Sequence, residues 1–143
     1  MDKQIKSADV RSLVEGTDRS ATPLAIAARL ATLLHRNVRY TGVEFGQAAV
    51  VPATPSEVQQ RRFGDCKDKS ALLVAMLRAV GLQANVALLR SGYGLDVDQN
   101  VPGLDLFDHA IVYLDGSKPL WIDATANELR VGILPSGDQG RFA

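Results

Sequence analysis

The sequence predicts one α+β domain over residues 1–143, in which a helical layer packs on an antiparallel sheet. Three observations favour this fold. The chain has 143 residues, the length of a single domain. Apolar residues recur at helical spacing in its first half, and strand-like runs joined by turn residues follow in its second half. Helices and strands that are grouped rather than alternating are typical of an α+β architecture.

The composition is that of an ordinary soluble protein, with 46% hydrophobic and 22% charged residues. Basic and acidic residues number 16 each, so the chain lacks the excess positive charge that is typical of nucleic-acid binding. No apolar run approaches the roughly 18 residues that span a bilayer. We therefore expect neither a nucleic-acid partner nor a membrane segment. The single cysteine, Cys66, excludes an internal disulfide framework and a zinc site built from several cysteines.

Two helices are predicted near the N-terminus. Residues 3–14 form a weak helical pattern that Gly16 ends. A stronger helix begins at Thr22 and Pro23, because threonine suits the N-cap and proline suits the first helical position. It ends near residues 35–37, and its buried face has the helical spacing of Ile26, Leu30, Leu33 and Leu34.

A short helix and two strand pieces are predicted next. Residues 38–40 and 43–45 have the composition of strand pieces, broken at Gly42. Thr54 and Glu57 then form a capping-box pattern, with threonine at the cap and glutamate three residues later. This pattern predicts the start of a short helix.

The clearest predicted element is the helix that carries the cysteine. Asp65 is a good N-cap, Cys66 follows it directly, and Gly81 supplies the C-terminal stop. One full apolar stripe follows the cap, which predicts a helix central to the fold. The stripe consists of Leu72, Leu73, Met76, Leu77 and Val80.

Three strands are predicted after this helix, over residues 83–90, 107–114 and 120–125. The loop of residues 91–106 is long enough to suggest a functional role, and we expect it to form one wall of a substrate groove. Residues 127–143 are predicted to be irregular.

Cys66 is the first candidate for chemistry. The first turn of a helix has unpaired N–H groups and a partial positive charge, so a thiol there is expected to have a lowered pKa and to react as the thiolate. Lys67 and Lys69 favour that shift, whereas Asp65 and Asp68 oppose it. The alternative is that Cys66 is a small buried hydrophobic residue.

His109 is the second candidate, although a packed core histidine is the alternative. If residues 115–117 form a three-residue turn, Leu114 pairs with Lys118, and His109 lies directly opposite Asp123. Directly opposed residues have Cβ atoms about 4.5–5.5 Å apart, which is close enough for a hydrogen bond. A slip of one residue would move Asp123 to the other face of the sheet.

Together these positions form a possible Cys–His–Asp set. A carboxylate beside an imidazole fixes its tautomer and stabilises the imidazolium, and the imidazole in turn activates a thiol. The sequence thus predicts a nucleophile, Cys66, on a helix, with His109 and Asp123 on a hairpin.

Three motifs resemble the transglutaminase-like superfamily, most closely its bacterial branch. The nucleophile helix of that family is similar to residues 62–73 (RFGDCKDKSALL) and 77–82 (LRAVGL). Its histidine strand is similar to residues 107–112 (FDHAIV), and its aspartate strand to residues 121–125 (WIDAT). The resemblance extends over residues 22–125.

The resemblance implies a papain-like α+β fold and thiol-dependent acyl chemistry without a cofactor. Cys66 would be the nucleophile, His109 the general base, and Asp123 the residue that orients His109. The expected reaction is acyl transfer or hydrolysis at an amide or peptide bond of a protein or peptide substrate, through a thioester. The other interpretation is a peptide-binding or scaffolding module that keeps the fold without turnover.

The resemblance also implies that the chain is a domain excised from a longer, often exported or membrane-associated protein. Two positions depart from the family pattern: Asp108 replaces a common asparagine, and Ala124 replaces a common proline. The carboxylate of Asp108 is expected to raise the pKa of His109.

Several further residues are candidates for supporting roles. The backbone N–H of Cys66 is the expected first oxyanion donor, and the second candidates are the side chains of Tyr40, Gln59 and Gln60. Residues 61–62 are expected on the solvated surface, and His35 at a helix end is expected to be structural. The spacing of the loop aspartates lacks the pattern of an EF-hand, so no calcium site is predicted. These aspartates are Asp96, Asp98 and Asp105.

Overall fold

The computed structural model describes residues 1–6, 8–42, 50–101 and 103–143, and it confirms the mixed α+β architecture. The helices are α1 (Asp2–Lys6), α2 (Arg11–Val14), α3 (Pro23–Asn37), α4 (Pro55–Arg61) and α5 (Cys66–Ala79). The strands are β1 (Arg39–Tyr40), β2 (Phe63–Gly64), β3 (Ala84–Leu89), β4 (His109–Leu114) and β5 (Leu120–Ile122). A single 3-10 turn, Leu104–Leu106, precedes β4 within the described residues. Strands β3, β4 and β5 form an antiparallel sheet in that order, and β1 pairs with β2 in parallel.

Helix α5 is the centre of the fold. Its residues from Cys66 to Leu77 are all buried, and it packs against α3, α4 and the sheet strands β3 and β4. The sheet turns Val112, Leu114 and Ile122 towards this helix, within the same apolar core. The Ser70 hydroxyl donates a buried hydrogen bond of 2.9 Å to the Ala110 carbonyl of β4. The helix that carries Cys66 and the strand that begins at His109 are thereby fixed to each other.

Side-chain caps start the three longer described helices, as the sequence predicted. Thr22 caps α3, Thr54 caps α4 and Asp65 caps α5. The caps of α4 and α5 are full capping boxes, in which a carboxylate at the third helical position also accepts from the N-cap backbone. Each cap satisfies N–H groups that have no partner within the helix.

The predicted N-terminal helix over residues 3–14 is wrong as a continuous element. The structure divides it into α1 and α2, and residues 8–10 between them are not helical. The Asp9 carboxylate accepts from the backbone N–H of Arg11, the first residue of α2, at 3.3 Å. The apolar side chains Ile5, Val10 and Val14 are nevertheless buried together. The strand piece predicted at residues 43–45 lies outside the described residues.

The predicted hairpin register is wrong by two residues. Leu114 pairs with Leu120 rather than Lys118, so the connection has five residues and Pro119 stays outside the ladder. Proline has no N–H to donate, which favours the longer connection. An even shift keeps every side chain on its predicted face, because side chains alternate with a period of two. Asp123 therefore remains on the face of His109 and reaches it diagonally instead of directly.

The cap of α5 carries a stability prediction, because Asp65 also pairs with the buried ammonium of Lys67. Asp65→Ala removes the cap, worth about 0.5–2 kcal/mol, and leaves a buried cation unpaired, which costs about 3–5 kcal/mol. We expect the free energy of unfolding in urea to fall by about 3 kcal/mol or more. Thr54→Ala is the matched control, since it removes a capping box without a buried cation, and should cost about 1 kcal/mol. Equal losses in the two variants would show that the ion pair contributes nothing.

Candidate active site

Cys66 is the first residue of α5 and is 7% exposed. The charged side chains around it are paired. The Lys67 ammonium contacts the Asp65 carboxylate, and the Arg61 guanidinium contacts the Asp68 carboxylate. The sequence predicted that Arg61 lies on the solvated surface. In the structure Arg61 instead belongs to the network of ion pairs that holds the start of α5 in place.

His109 and Asp123 are brought together by the hairpin of β4 and β5. His109 Nε2 lies 3.2 Å from Asp123 Oδ2, and both side chains are largely buried. The other oxygen of Asp123 accepts from the Thr125 backbone N–H at 2.7 Å and from the Thr125 hydroxyl at 2.8 Å. Because Oδ1 is fixed by Thr125, Oδ2 points at the imidazole.

The electrostatics of this cluster favour a charged imidazole. Burial lowers the pKa of His109, but hydrogen bonds and charge from Asp123 and Cys66 outweigh burial and raise the pKa to about 10. Burial raises the pKa of the Asp123 carboxyl, and here too its partners outweigh burial: His109 and Thr125 bring the pKa below its ordinary value. The structure thus places Cys66, His109 and Asp123 in one cluster that stabilises the imidazolium form of His109.

A third carboxylate, which sequence reasoning missed, lies beside the same imidazole. Asp138 Oδ2 is 3.8 Å from His109 Nε2, and the Asp138 side chain is buried. Asp108, the residue expected to act on His109, is instead exposed and accepts from the Ser91 backbone N–H at 2.7 Å. No periodicity or motif marks Asp138 in the sequence, because it belongs to the irregular C-terminal segment.

Lys69 is a second residue whose placement the sequence did not predict. Its side chain is fully buried, with Nζ 3.4 Å from His35 Nδ1 and 3.4 Å from Asn127 Oδ1. Burial lowers the pKa of Lys69 to about 8, against the opposing charge of Asp123. Burial and, next, the Lys69 charge lower the pKa of His35. Lys69 thus joins α5 to α3 and to the segment after β5.

A cavity of about 700 Å³ opens beside Cys66. Its described lining is mostly apolar, with Cys66, His109, Lys67, Asp105 and Asp108 as its polar members. The apolar lining consists of Met1, Val50, Val51, Pro52, Val86, Leu88, Phe107 and Ala110.

The candidates for the second oxyanion donor do not line this cavity in the described part of the chain. Gln59 instead donates to the Asp9 carbonyl at 3.4 Å, Gln60 is exposed on α4, and Tyr40 lies on β1. The loop of residues 91–106 contributes Asp105 to the cavity wall.

The ligand-type atoms of His109, Asp123 and Asp138 lie within 4.8 Å of one another. The imidazole and the Asp123 carboxylate already engage each other at hydrogen-bond distance. In the structure these atoms thus belong to a hydrogen-bonded imidazole–carboxylate pair with a second carboxylate beside it.

A family model described as the transglutaminase-like superfamily matches residues 11–124. The chain belongs to the transglutaminase-like superfamily. Among solved structures, it resembles the crystal structure of a "putative protease" from Parabacteroides distasonis ATCC 8503, with a TM-score of 0.62 and 14% sequence identity. The alignment covers 94% of this chain and 30% of that one, so the transglutaminase-like chain spans under a third of that protein. At this identity the likeness shows a shared fold. No curated protein matches the sequence.

The helices of this transglutaminase-like protein, over the residues that the structure describes, include none long and apolar enough to cross a membrane. The matched residues, 11–124, run from α2 to the end of the hairpin of β4 and β5. Asp138 lies beyond the matched residues.

The pKa values of the two histidines are expected to shift in opposite directions from the ordinary value. In an NMR titration the His109 ring should keep its proton well above neutral pH and lose it near pH 10, whereas the His35 ring should lose its proton below pH 6.5. A raised folded-state pKa means that the proton on His109 contributes stability fully below pH 6.5, and that this contribution is lost as the pH rises to about 10. If His109 instead titrates below His35, the assigned partners do not act on it.

Proposed function

We propose that this protein catalyses thiol-dependent acyl transfer or hydrolysis at an amide or peptide bond, with Cys66 as nucleophile, His109 as general acid and base, and Asp123 as the residue that orients His109. One observation carries the proposal. The imidazole that lies 3.2 Å from the Asp123 carboxylate lines the same cavity of about 700 Å³ as Cys66, and the Cys66 side chain helps to raise the pKa of His109. A purely structural thiol requires neither a charged imidazole nor an adjoining cavity.

In the first half-reaction the Cys66 proton resides on His109, which leaves a thiolate and an imidazolium. The sulfur attacks the carbonyl carbon, so a C–S bond forms and the carbonyl electrons move to oxygen. When the oxyanion collapses, the C–N bond breaks and His109 gives its proton to the departing amine. The product of this step is a thioester at Cys66.

The second half-reaction returns the enzyme to its starting state. Water or a second amine gives a proton to His109 and attacks the thioester carbon. The C–S bond then breaks, and Cys66 leaves as the thiolate beside the imidazolium. Water as acceptor gives hydrolysis, and an amine gives acyl transfer.

Helix α5 and Asp123 supply the electrostatic support for these steps. The backbone N–H of Cys66 lies at the helix start, where N–H groups lack helical partners, and it is the proposed donor to the oxyanion. Asp123, which Thr125 holds as an ionised acceptor, keeps the imidazole in one tautomer and stabilises its charged form.

The cavity favours an acyl donor with an apolar side chain. Phe107, Val86 and Leu88 offer a hydrophobic wall beside Cys66, and burial of an apolar group there contributes about 25 cal/mol per Å². Asp105 and Asp108 add negative charge to the same lining, which favours a substrate with a basic residue or an amine next to the apolar one.

The test is capture of the acyl-enzyme with p-nitrophenyl hexanoate, an activated ester with an apolar acyl chain. Intact-protein and peptide mass spectrometry should locate one hexanoyl group on Cys66, and hydroxylamine should remove it. Cys66→Ser should not be labelled, and His109→Ala should slow labelling by about 10²–10⁴-fold. Added methylamine should divert the product to the amide if the enzyme prefers amine acceptors.

Asp115→Asn is the matched control, because Asp115 lies in the exposed hairpin turn. It should be labelled at the wild-type rate. Labelling of the wild type only after denaturation would contradict the proposal and favour a peptide-binding module.

A further inference from the structure

The buried oxygen Oδ2 of Asp138 has no hydrogen-bond partner. The residue is 3% exposed, and its other oxygen accepts from the Ser91 hydroxyl at 2.5 Å. A buried polar atom without a partner costs about 1–3 kcal/mol, so its presence requires an explanation. Oδ2 points into the contact between His109 and Asp123, 3.8 Å from His109 Nε2.

The position of Asp138 is built by the C-terminal segment, residues 135–142, which packs on the loop after β3. The Gly92 N–H donates to the Gly137 carbonyl at 2.9 Å, and the Phe142 N–H donates to the Asp96 carboxylate at 2.9 Å. Arg141 donates to the carbonyl of Gly94 at 2.9 Å. These contacts hold Asp138 beside the imidazole of His109. The whole segment lies outside the residues that the family model matches.

Gly137 makes the close approach possible. A Cβ at this position would lie 3.1 Å from the Gly92 nitrogen and 3.3 Å from the Ser91 hydroxyl. Both neighbours belong to the loop after β3, on which the C-terminal segment packs. A side chain at residue 137 would therefore push Asp138 away from His109.

We propose that the Asp123–Asp138 pair holds one proton in the active enzyme. Asp138 carries this proton on Oδ2 and donates a hydrogen bond with it to the Asp123 carboxylate. Asp138 is thereby a positioning residue for His109. This inference rests on the proposed function for its catalytic meaning. The proton stays on Asp138 Oδ2, and the hydrogen bond that it makes to Asp123 gives this otherwise unpartnered oxygen a partner.

The number of donors around each carboxylate decides which of the two keeps the proton. Asp123 receives two hydrogen bonds from Thr125 and faces the imidazolium of His109, and such donors stabilise the ionised form. Asp138 receives one hydrogen bond, from Ser91. Burial, together with the charge of Asp123, raises the pKa of Asp138 although Ser91 and His109 act in the other direction.

The total charge supports the same assignment. With a Cys66 thiolate, two ionised carboxylates would face one imidazolium in a largely buried site. A shared proton removes one of these negative charges, which reduces the desolvation cost. The positive charge of Lys69, on α5, also interacts with the Asp123 carboxylate. Arg141, in the C-terminal segment, donates to a backbone carbonyl.

The first test is a carboxyl-carbon NMR titration of the wild-type protein, with Asp138→Asn used to assign the Asp138 signal. The Asp138 carboxyl should still carry its proton at neutral pH, where an ordinary exposed carboxyl is ionised. The reference is the exposed Asp18, because hydrogen bonds from the Ser20 hydroxyl and backbone N–H hold the pKa of its carboxyl below the ordinary value, so it should ionise at a much lower pH. If Asp138 and Asp18 ionise together, the proposal is wrong. This titration reads the proton directly, so it is independent of whether any substrate is turned over.

The second test compares labelling rates of Cys66 in matched variants. Asp138→Asn keeps a donor for Asp123, and should slow labelling by no more than about threefold, whereas Asp138→Ala removes the donor and should slow it about tenfold. Asp123→Asn should slow labelling by up to about 10⁴-fold, because Asp123 is needed as an anion. Ser91→Ala keeps the Asp138 side chain but removes the hydrogen bond that holds it, and covers the case in which Asp138→Ala does not fold.

The pattern of these rates separates the possible outcomes. Without the Ser91 hydroxyl, Asp138 is free to turn away from Asp123, so Ser91→Ala should slow labelling by about threefold or more. Labelling of Ser91→Ala at the wild-type rate would contradict the proposal. Asp138→Asn as slow as Asp123→Asn would show that Asp138 acts as an anion, and would overturn the proposal. If the wild type is not labelled at all, the proposed function fails, and the titration alone decides the state of Asp138.

Discussion

The structure depends on the burial of the polar first turn of α5. Ionised groups that leave water are stable only when paired, and three of the charged residues at this helix start have an ionic partner. Asp65 pairs with Lys67, and Asp68 binds Arg61 of α4. These contacts fix the helix start against α4 and β2, and they hold Cys66 in a partly apolar wall. The reactive position is therefore set by electrostatic pairing as much as by hydrophobic packing.

The sheet supplies the other half of the candidate site. The hydrogen bond from Ser70 to Ala110 ties α5 to β4, so the strand that begins at His109 is held beside the helix. Asp123 reaches the imidazole from the end of β5, and Asp138 reaches it from a segment that the sheet does not contain. Four separate stretches of chain thus meet at one imidazole, which explains why its charge state responds to every one of them.

Much of this arrangement follows from local sequence rules, and the remainder from contacts that such rules do not contain. Caps, apolar stripes and strand parity are local properties, so the start of α5 and the shared face of His109 and Asp123 could be predicted. The exact pairing of the hairpin depends on Pro119, whose missing N–H favours a longer connection than the turn residues suggest. Asp138 could not be found, because its placement rests on hydrogen bonds between distant irregular segments, which leave no periodicity in the sequence.

The most direct test of the central claim is the rate at which iodoacetamide alkylates Cys66 in the folded protein, compared between the wild type and His109→Ala. Because a charged imidazole stabilises the reactive thiolate, the account predicts that Cys66 of the folded wild type reacts faster than Cys66 of the chain unfolded in urea. His109→Ala should lose most of this advantage. The protein contains one cysteine, so the alkylated product has a single source. Alkylation of the wild type only after unfolding, or at the same rate in the wild type and His109→Ala, would contradict the account.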